Sequence, residues 1–434
     1  MSTTQVNQAF RKLIVGVDKR IPVNGTRYVR YINFDNAATT PPFKSVLDGV
    51  INFCPWYSSI HRGMGYKSKV SSRLYEEARS EILRFVGADE EKNTVIFVKN
   101  ATEGLNKLSY RIVEDKEWVV LSTWMEHHSN DLPWRDKCRV DYVEIDEKGR
   151  LSMDDMEQKL KKYNGKVRLV TVTAASNVTG YVNDIHKIAR LAHQYGARII
   201  VDGAQLVPHF AVNMCTNESD EHIDYLVFSA HKMYAPFGIG VIIAPKESFR
   251  KGAPEYKGGG TVHVVTRESI DWDEPPYKEE AGSPNIIGVV ALVAALKELG
   301  KIGMEHIHKN EKLLMNYAIE KLNELSFLKL YGCDDGCVER VGIIPFTVSG
   351  IPHAEIAKAL SEDSGIGVRN GCFCAQPYVQ RLLKLTPEEI SYYRYLPDDK
   401  KPGMVRVSFG LYNTIEEVDT LVRELKRIIK SGSK

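Results

Sequence analysis

The chain has 434 residues, 43% of them hydrophobic and 26% charged, and its 58 basic and 56 acidic side chains leave a net charge of +2. That length allows one large unit plus a smaller one, and that charge balance gives no electrostatic case for a nucleic-acid or membrane partner. No apolar run reaches the roughly eighteen residues of a membrane span, the first 20 residues lack the apolar core of a secretory signal, and the seven scattered cysteines point to a reducing, cytoplasmic setting rather than a disulfide framework.

Residues 1–30 are mixed in character and are expected to form an N-terminal arm. From about residue 94 short β-branched runs alternate with amphipathic segments. Strands are predicted at 94–100, 118–124, 140–146, 167–176, 197–205, 225–232 and 240–245, and helices at 102–114, 153–163 and 184–195. Near-continuous apolar strands alternating with helices imply a mostly parallel, mixed seven-stranded α/β sheet covered on both faces. A large domain is therefore expected over 31–286.

Beyond residue 285 the pattern shifts to longer helices, at 287–300 and 303–325. A strand at 341–350, a helix at 353–364, a strand at 404–413 and a closing helix at 416–430 follow. These predict a smaller α+β C-terminal domain over 287–434, with a polar loop at 396–403.

Ligands of parallel sheets bind at the carboxyl ends of the strands. The polar residues predicted there are Thr102, His127, His128, Asn177, Asp202, Gln205, His231 and Lys232. Lys232 stands out, in "FSAHKMYAPFGIG" (228–240), between two runs that look buried. A lysine there either turns out to solvent or is held inside by a partner. Asp202, in "IIVDGAQ", either caps a turn or is a buried carboxylate that keeps a cationic partner protonated. A lysine that forms a Schiff base and an aspartate that protonates a pyridine nitrogen are what pyridoxal 5′-phosphate requires. Thr102 and Gly104, at the start of a helix, offer either an ordinary N-cap or a phosphate cradle, and Ser229 and His231 offer further donors. Of the adjacent His127 and His128, one imidazole could stack on a planar ring, or both could be structural.

The ordered set "NFDNAATT" (33–40), "HRGMG" (61–65), "NATEG" (100–104), "MEHHSN" (125–130), "SNVTG" (176–180), "VDGAQ" (201–205), "FSAHKMYAPFGIG", "EAGSPN" (280–285) and "VRVSFGLYNT" (405–414) resembles the class V aminotransferase family. Within it, the chain is most similar to the group II cysteine desulfurases and selenocysteine lyases. The resemblance implies the pyridoxal-phosphate fold type I and assigns roles. Lys232 matches the Schiff-base lysine, Asp202 the pyridinium partner, His127 the ring-stacking histidine and Gln205 the residue bonded to the phenolate oxygen. Thr102, Ser229 and His231 match phosphate ligands. Ser283 matches a hydroxyl that reaches the phosphate from a second subunit, which implies a homodimer. Arg406 matches the clamp on the substrate carboxylate, and Asn177 and Arg369 match neighbours of the amino-acid substrate.

In this family a loop cysteine receives sulfur from the substrate. "GVRNGCFCAQP" (367–377) resembles that loop, with Cys374 as the acceptor. The family often has histidine where this chain has Cys372. That residue is read either as a second thiol in a persulfide relay or as a packed side chain. No metal-binding pattern is evident, and Cys333 and Cys337 are read as structural or incidental. The segment 375–405 is longer than the resemblance predicts, and is read as a reshaped active-site mouth or a partner surface.

The expected activity is that of a cysteine desulfurase, L-cysteine to L-alanine with an enzyme persulfide that a sulfur-acceptor protein would discharge. The alternatives are another class V reaction (transamination, epimerisation or C–S lysis) that needs Lys232 and Asp202 but not Cys374, and a non-enzymatic binding protein, against which both residues argue.

Overall fold

Seven apolar runs between residues 93 and 245 fold into one sheet in the computed structural model, which describes residues 8–25, 27–333 and 338–432. In chain order the strands are β1 (Asn93–Val98), β2 (Val119–Thr123), β3 (Arg139–Val143), β4 (Val167–Thr173), β5 (Arg198–Asp202), β6 (Tyr225–Ser229) and β7 (Gly240–Pro245). The sheet order is β1-β7-β6-β5-β4-β2-β3. Strands β2 to β6 are mutually parallel, and β7 runs antiparallel between β1 and β6. This is the mixed, mostly parallel α/β sheet the sequence predicts.

Both faces of the sheet are covered. Helices α1 (Lys44–Phe53), α2 (Tyr66–Phe85), α4 (Met153–Tyr163) and α5 (Ile185–Gln194) pack on the face that carries Val95, Val201 and Phe228. Helix α3 (Ala101–Ile112) packs on the other, against Ile96, Ile200 and Val227. Burial on both faces is why these strands are apolar throughout rather than alternating.

A second, four-stranded sheet follows. Its strands are β8 (Leu328–Leu330), β9 (Ile343–Val348), β10 (Arg369–Gly371) and β11 (Met404–Ser408), all antiparallel, in the order β8-β9-β11-β10. Helices α7 (Met304–Asn323), α8 (His353–Ser364) and α11 (Ile415–Gly432) cover one face around Phe346, Val405 and Val407. Helix α6 (Ile286–Ile302) lies between the two parts and packs on the large core through Val289, Leu292 and Leu296.

The N-terminal arm is tied down. Arg20–Val23 pairs with Arg27–Arg30 as a hairpin, and Arg11 donates to Glu417 Oε1 (2.7 Å) and to Tyr412 O (3.1 Å). Residues 32–33 pair in parallel with 366–367, so this segment belongs to the core of the small sheet.

The segment 375–405 divides in two. Helix α9 (Gln376–Leu382) is seated by Tyr378, whose hydroxyl donates to Gly149 O (2.6 Å), while helix α10 (Pro387–Tyr393) lies outside, with Tyr392 and the neighbouring Tyr395 exposed. Among the described residues, no helix is long and apolar enough to cross a membrane. Cys337 lies outside the described residues.

Gly240, the first residue of β7, lets the chain cross close beneath the start of α3. A Cβ there would meet the Asn100 backbone at 2.6 Å. Gly240→Ala is expected to displace Asn100 and to destabilise the protein by about 1–3 kcal/mol, measured by urea denaturation.

Candidate active site

One cavity of about 220 Å³ opens at the carboxyl edge of the large sheet, where the small sheet meets it. Every residue to which the family resemblance assigns a role lines it except Ser283, and of the adjacent histidines His127 lines it and His128 does not. Ser283 borders a separate cavity with Gly259, Gly260 and His61.

Two neighbouring parallel strands place the opposite charges. β5 ends at the buried Asp202, and β6 ends at Ser229, followed by a single turn of 3₁₀-helix over Ala230–Lys232. Lys232 therefore sits in a turn beyond the strand, not within it as the sequence suggested. Its amine has no hydrogen bond or ion pair among the described residues, and burial pushes it down to about 8, with Asp202 acting in the opposite sense. Burial pushes the Asp202 carboxyl up, against the Ala204 N–H (3.0 Å) and the Lys232 charge. Behind Asp202, the buried Glu126 accepts from Thr123 Oγ1, the Thr173 N–H and Asn130 Nδ2, and burial still pushes it up to about 8.

The start of α3 forms one wall. Asn100 caps the helix by accepting from the Glu103 N–H (3.0 Å), and Ser229 Oγ accepts from the Ala101 N–H (2.8 Å). Thr102, in the same turn, faces the cavity, and its hydroxyl meets Ser129 Oγ at 2.7 Å. Ser129 in turn holds His127. The Ser129 N–H donates to His127 Nδ1 (3.1 Å), which leaves the ring proton on Nε2. Burial first, and then the Lys232 charge, push His127 down to about 3, so the ring is neutral at ordinary pH. The His231 backbone carbonyl accepts from the Thr40 N–H (3.0 Å), and its imidazole is pushed down to about 4 by burial. Gln205 Nε2 donates to Ala37 O (2.7 Å), while its buried Oε1 has no partner among the described residues.

The small sheet supplies the opposite wall. Arg369 on β10 lies directly across from Arg406 on β11. Asp35 joins these like charges. Its Oδ1 accepts from Arg406 Nη2 (3.0 Å), and its Oδ2 lies 3.6 Å from Arg369 Nη1. Arg406 Nη1 also donates to Asn177 O (2.8 Å), and its buried Nε–H has no partner among the described residues. Burial pushes this guanidinium down to about 10.

Cys374 lines the same cavity as both arginines, from a pinned loop. It is exposed and lines the cavity. Phe373 (φ 54°) and Cys374 (φ 55°) both occupy the left-handed region, which costs a non-glycine residue about 1–3 kcal/mol. Three bonds hold that geometry. Asn177 Nδ2 donates to Phe373 O (2.6 Å), the His128 N–H to Cys374 O (2.7 Å) and the Gln376 N–H to His128 Nε2 (3.1 Å). Cys372 is half-buried, turns its thiol toward Pro402 O (3.4 Å), and is pushed up to about 11 by burial, which is the packed alternative.

Sequence reasoning missed Asp35, Ser129 and the loop-holding role of His128. All three lie inside motifs already singled out, but nothing in one sequence separates them from their neighbours.

A family model described as Aminotransferase class-V matches residues 32–421. A cysteine desulfurase of Haloferax volcanii is 32% identical over 400 residues, covering 90% of this chain and 88% of the relative. A probable cysteine desulfurase 1 of Mycobacterium leprae is 34% identical over 411 residues, or 92% of this chain, which spans only 62% of that relative. Among solved structures, a cysteine desulfurase from Thermococcus onnurineus NA1 is similar with a TM-score of 0.82 and 31% identity, covering 92% of this chain and 95% of that one. The cysteine desulfurase CsdA of Escherichia coli is similar with a TM-score of 0.81 and 25% identity, covering 98% of both chains. The chain belongs to the class-V aminotransferase family and has the pyridoxal-phosphate fold type I of its cysteine desulfurase relatives.

Proposed function

We propose that this protein is a pyridoxal 5′-phosphate-dependent cysteine desulfurase that converts L-cysteine to L-alanine and retains the sulfur as a persulfide on Cys374. The observation that carries the reading is that Cys374 lines the same cavity as Lys232, Asp202 and Arg406.

The donor set fits the cofactor. Thr102, Ser229 and His231 would hold the phosphate at the first turn of α3. Asp202 would keep the pyridine nitrogen protonated. Gln205, with an unpartnered Oε1 and one N–H of Nε2 to spare, would face the phenolate oxygen. The neutral His127 would lie over the ring, and Lys232 would hold the aldehyde carbon. Bound there, pyridoxal phosphate supplies a carbonyl for amines and a ring that takes up an electron pair.

The chain's own groups supply the rest. Arg406, held by Asp35, binds the substrate carboxylate, with Asn177 and Arg369 beside it. Lys232 Nζ takes and returns the proton at the substrate Cα. The Cys374 thiolate attacks the substrate sulfur. The Cβ–S bond breaks, an S–S bond forms, and the electron pair left on Cβ takes up a proton to give the methyl group of alanine. Cysteine and an enzyme thiol become alanine and an enzyme persulfide, so no external oxidant is needed.

The proposal extends to a homodimer in which Ser283 serves the neighbouring subunit's phosphate site, because Ser283 stands apart from its own chain's cavity. It also takes residues 31–286 and 287–434 as the two working domains, a sulfur-acceptor protein as partner, and a cytoplasmic setting.

Cys374→Ala is expected to keep the absorbance of the bound cofactor and to lose persulfide formation from cysteine. Undiminished alanine and sulfide production by that variant would sink the mechanism, and pyruvate in place of alanine would establish a C–S lyase. A second prediction concerns pH. With the Lys232 amine near 8, roughly a tenth is neutral at pH 7, against well under a thousandth for an ordinary lysine. Covalent uptake of pyridoxal phosphate by stripped protein is expected to quicken about tenfold per pH unit below 8 and to level off above it, followed by absorbance. Continued acceleration toward pH 10 would contradict the lowered value.

A further inference from the structure

Three side chains that this chemistry does not use converge at the opposite edge of the large sheet. His193 lies at the end of α5, and His222 and Asp224 immediately precede β6. His193 Nε2 is 2.9 Å from Asp224 Oδ2, and His222 Nε2 is 3.4 Å from Asp224 Oδ1. One atom from each of the three residues falls within 4.8 Å of the others. The two imidazoles stack, with centroids 4.3 Å apart and planes 22° apart.

The other nitrogen of each ring is already engaged. Nδ1 of His193 lies 2.7 Å from Asp220 O, and Nδ1 of His222 lies 2.5 Å from Ser219 O. A carbonyl oxygen only accepts, so each Nδ1 carries a hydrogen. A neutral ring with its hydrogen on Nδ1 has its lone pair on Nε2, and both Nε2 atoms face the Asp224 carboxylate. A metal ion among the three groups would take both lone pairs as ligands.

Other features agree. An Nδ1–H bonded to a backbone carbonyl is the usual outer support of a metal-bound histidine. The Ile199 N–H, 2.9 Å from Asp224 Oδ2, orients the carboxylate in the same way. Ligands about 2.0–2.2 Å from a tetrahedral ion stand about 3.3–3.6 Å from one another, which the 3.4 Å from His222 Nε2 to Asp224 Oδ1 matches, while the 2.9 Å from His193 Nε2 runs to the other carboxylate oxygen, Oδ2. Both histidine side chains are 17% exposed, which leaves an entry path.

We propose that His193 Nε2, His222 Nε2 and an Asp224 carboxylate oxygen form a site for a divalent transition-metal ion, zinc foremost, with water completing the coordination. Two imidazoles select against magnesium and calcium. The ion would tie the end of α5 to the starts of β5 and β6, the strands whose far ends carry Asp202 and lead into Lys232. No ligand-spacing signature announces the site, since the two histidines lie 29 residues apart in sequence.

The test titrates cobalt(II) into chelator-stripped holoenzyme. One equivalent per chain is expected, with the visible absorption of tetrahedral cobalt and displacement by zinc. Affinity is expected to fall at least tenfold in His193→Gln and in His222→Gln. No binding by the wild-type protein at millimolar cobalt, or a loss below tenfold in either variant, overturns the proposal. X-ray absorption of the zinc-loaded wild-type protein needs no variant. Two imidazoles in the coordination shell support the site, and sulfur ligation overturns it.

Discussion

The site depends on ending two adjacent parallel strands in opposite charges and burying both ends without letting them meet. Asp202 and Lys232 share no hydrogen bond among the described residues, so neither fully offsets the other's desolvation. Burial therefore drives the carboxyl up and the amine down, toward their neutral forms. A cofactor held as proposed, with its ring nitrogen at one and its aldehyde at the other, would relieve both penalties. The surrounding groups arrange themselves to the same end. Ser129 fixes the tautomer of His127, and the first turn of α3 brings Thr102 to the cavity wall.

The second constraint is the register of the small sheet. Pairing β10 with β11 sets Arg369 opposite Arg406, a like-charge pair that is unfavourable by itself. Asp35 bridges the two, and it arrives on a segment whose neighbours pair with residues 366–367. An N-terminal stretch thus completes a cationic wall of the cavity built from the C-terminal third of the chain. The hairpin before it and the Arg11–Glu417 contact hold that stretch in place.

The large sheet was legible because strands buried on both faces leave uninterrupted apolar runs, and those runs placed Asp202 and the Lys232 turn at one edge. Helix α2 was not legible, since its first half buries Ser68 and Ser71 and shows no apolar stripe. Strand β10 was hidden because Arg369, Asn370 and Gly371 have little preference for strands, and β11 imposes their register. The resemblance to a known family located most of the lining residues. Asp35, the Ser129 contact with Thr102 and the joining of His193 to Asp224 needed three-dimensional proximity, because those partners are distant in sequence. The surroundings of Cys372 also waited on the fold, which gives its thiol the Pro402 carbonyl as a partner.

The adjacent histidines have a mechanical consequence. The ring of His127 lines the cavity, while the backbone and ring of His128 grip the loop that presents Cys374. One peptide plane thus joins the His127 ring at the cavity wall to the loop that carries Cys374, as a jig with a single joint would. Lifting the loop would break both His128 contacts, and a rotation carried through that plane would tilt the neighbouring imidazole. The position of the Cys374 thiol and the tilt of the His127 ring are therefore geared to each other.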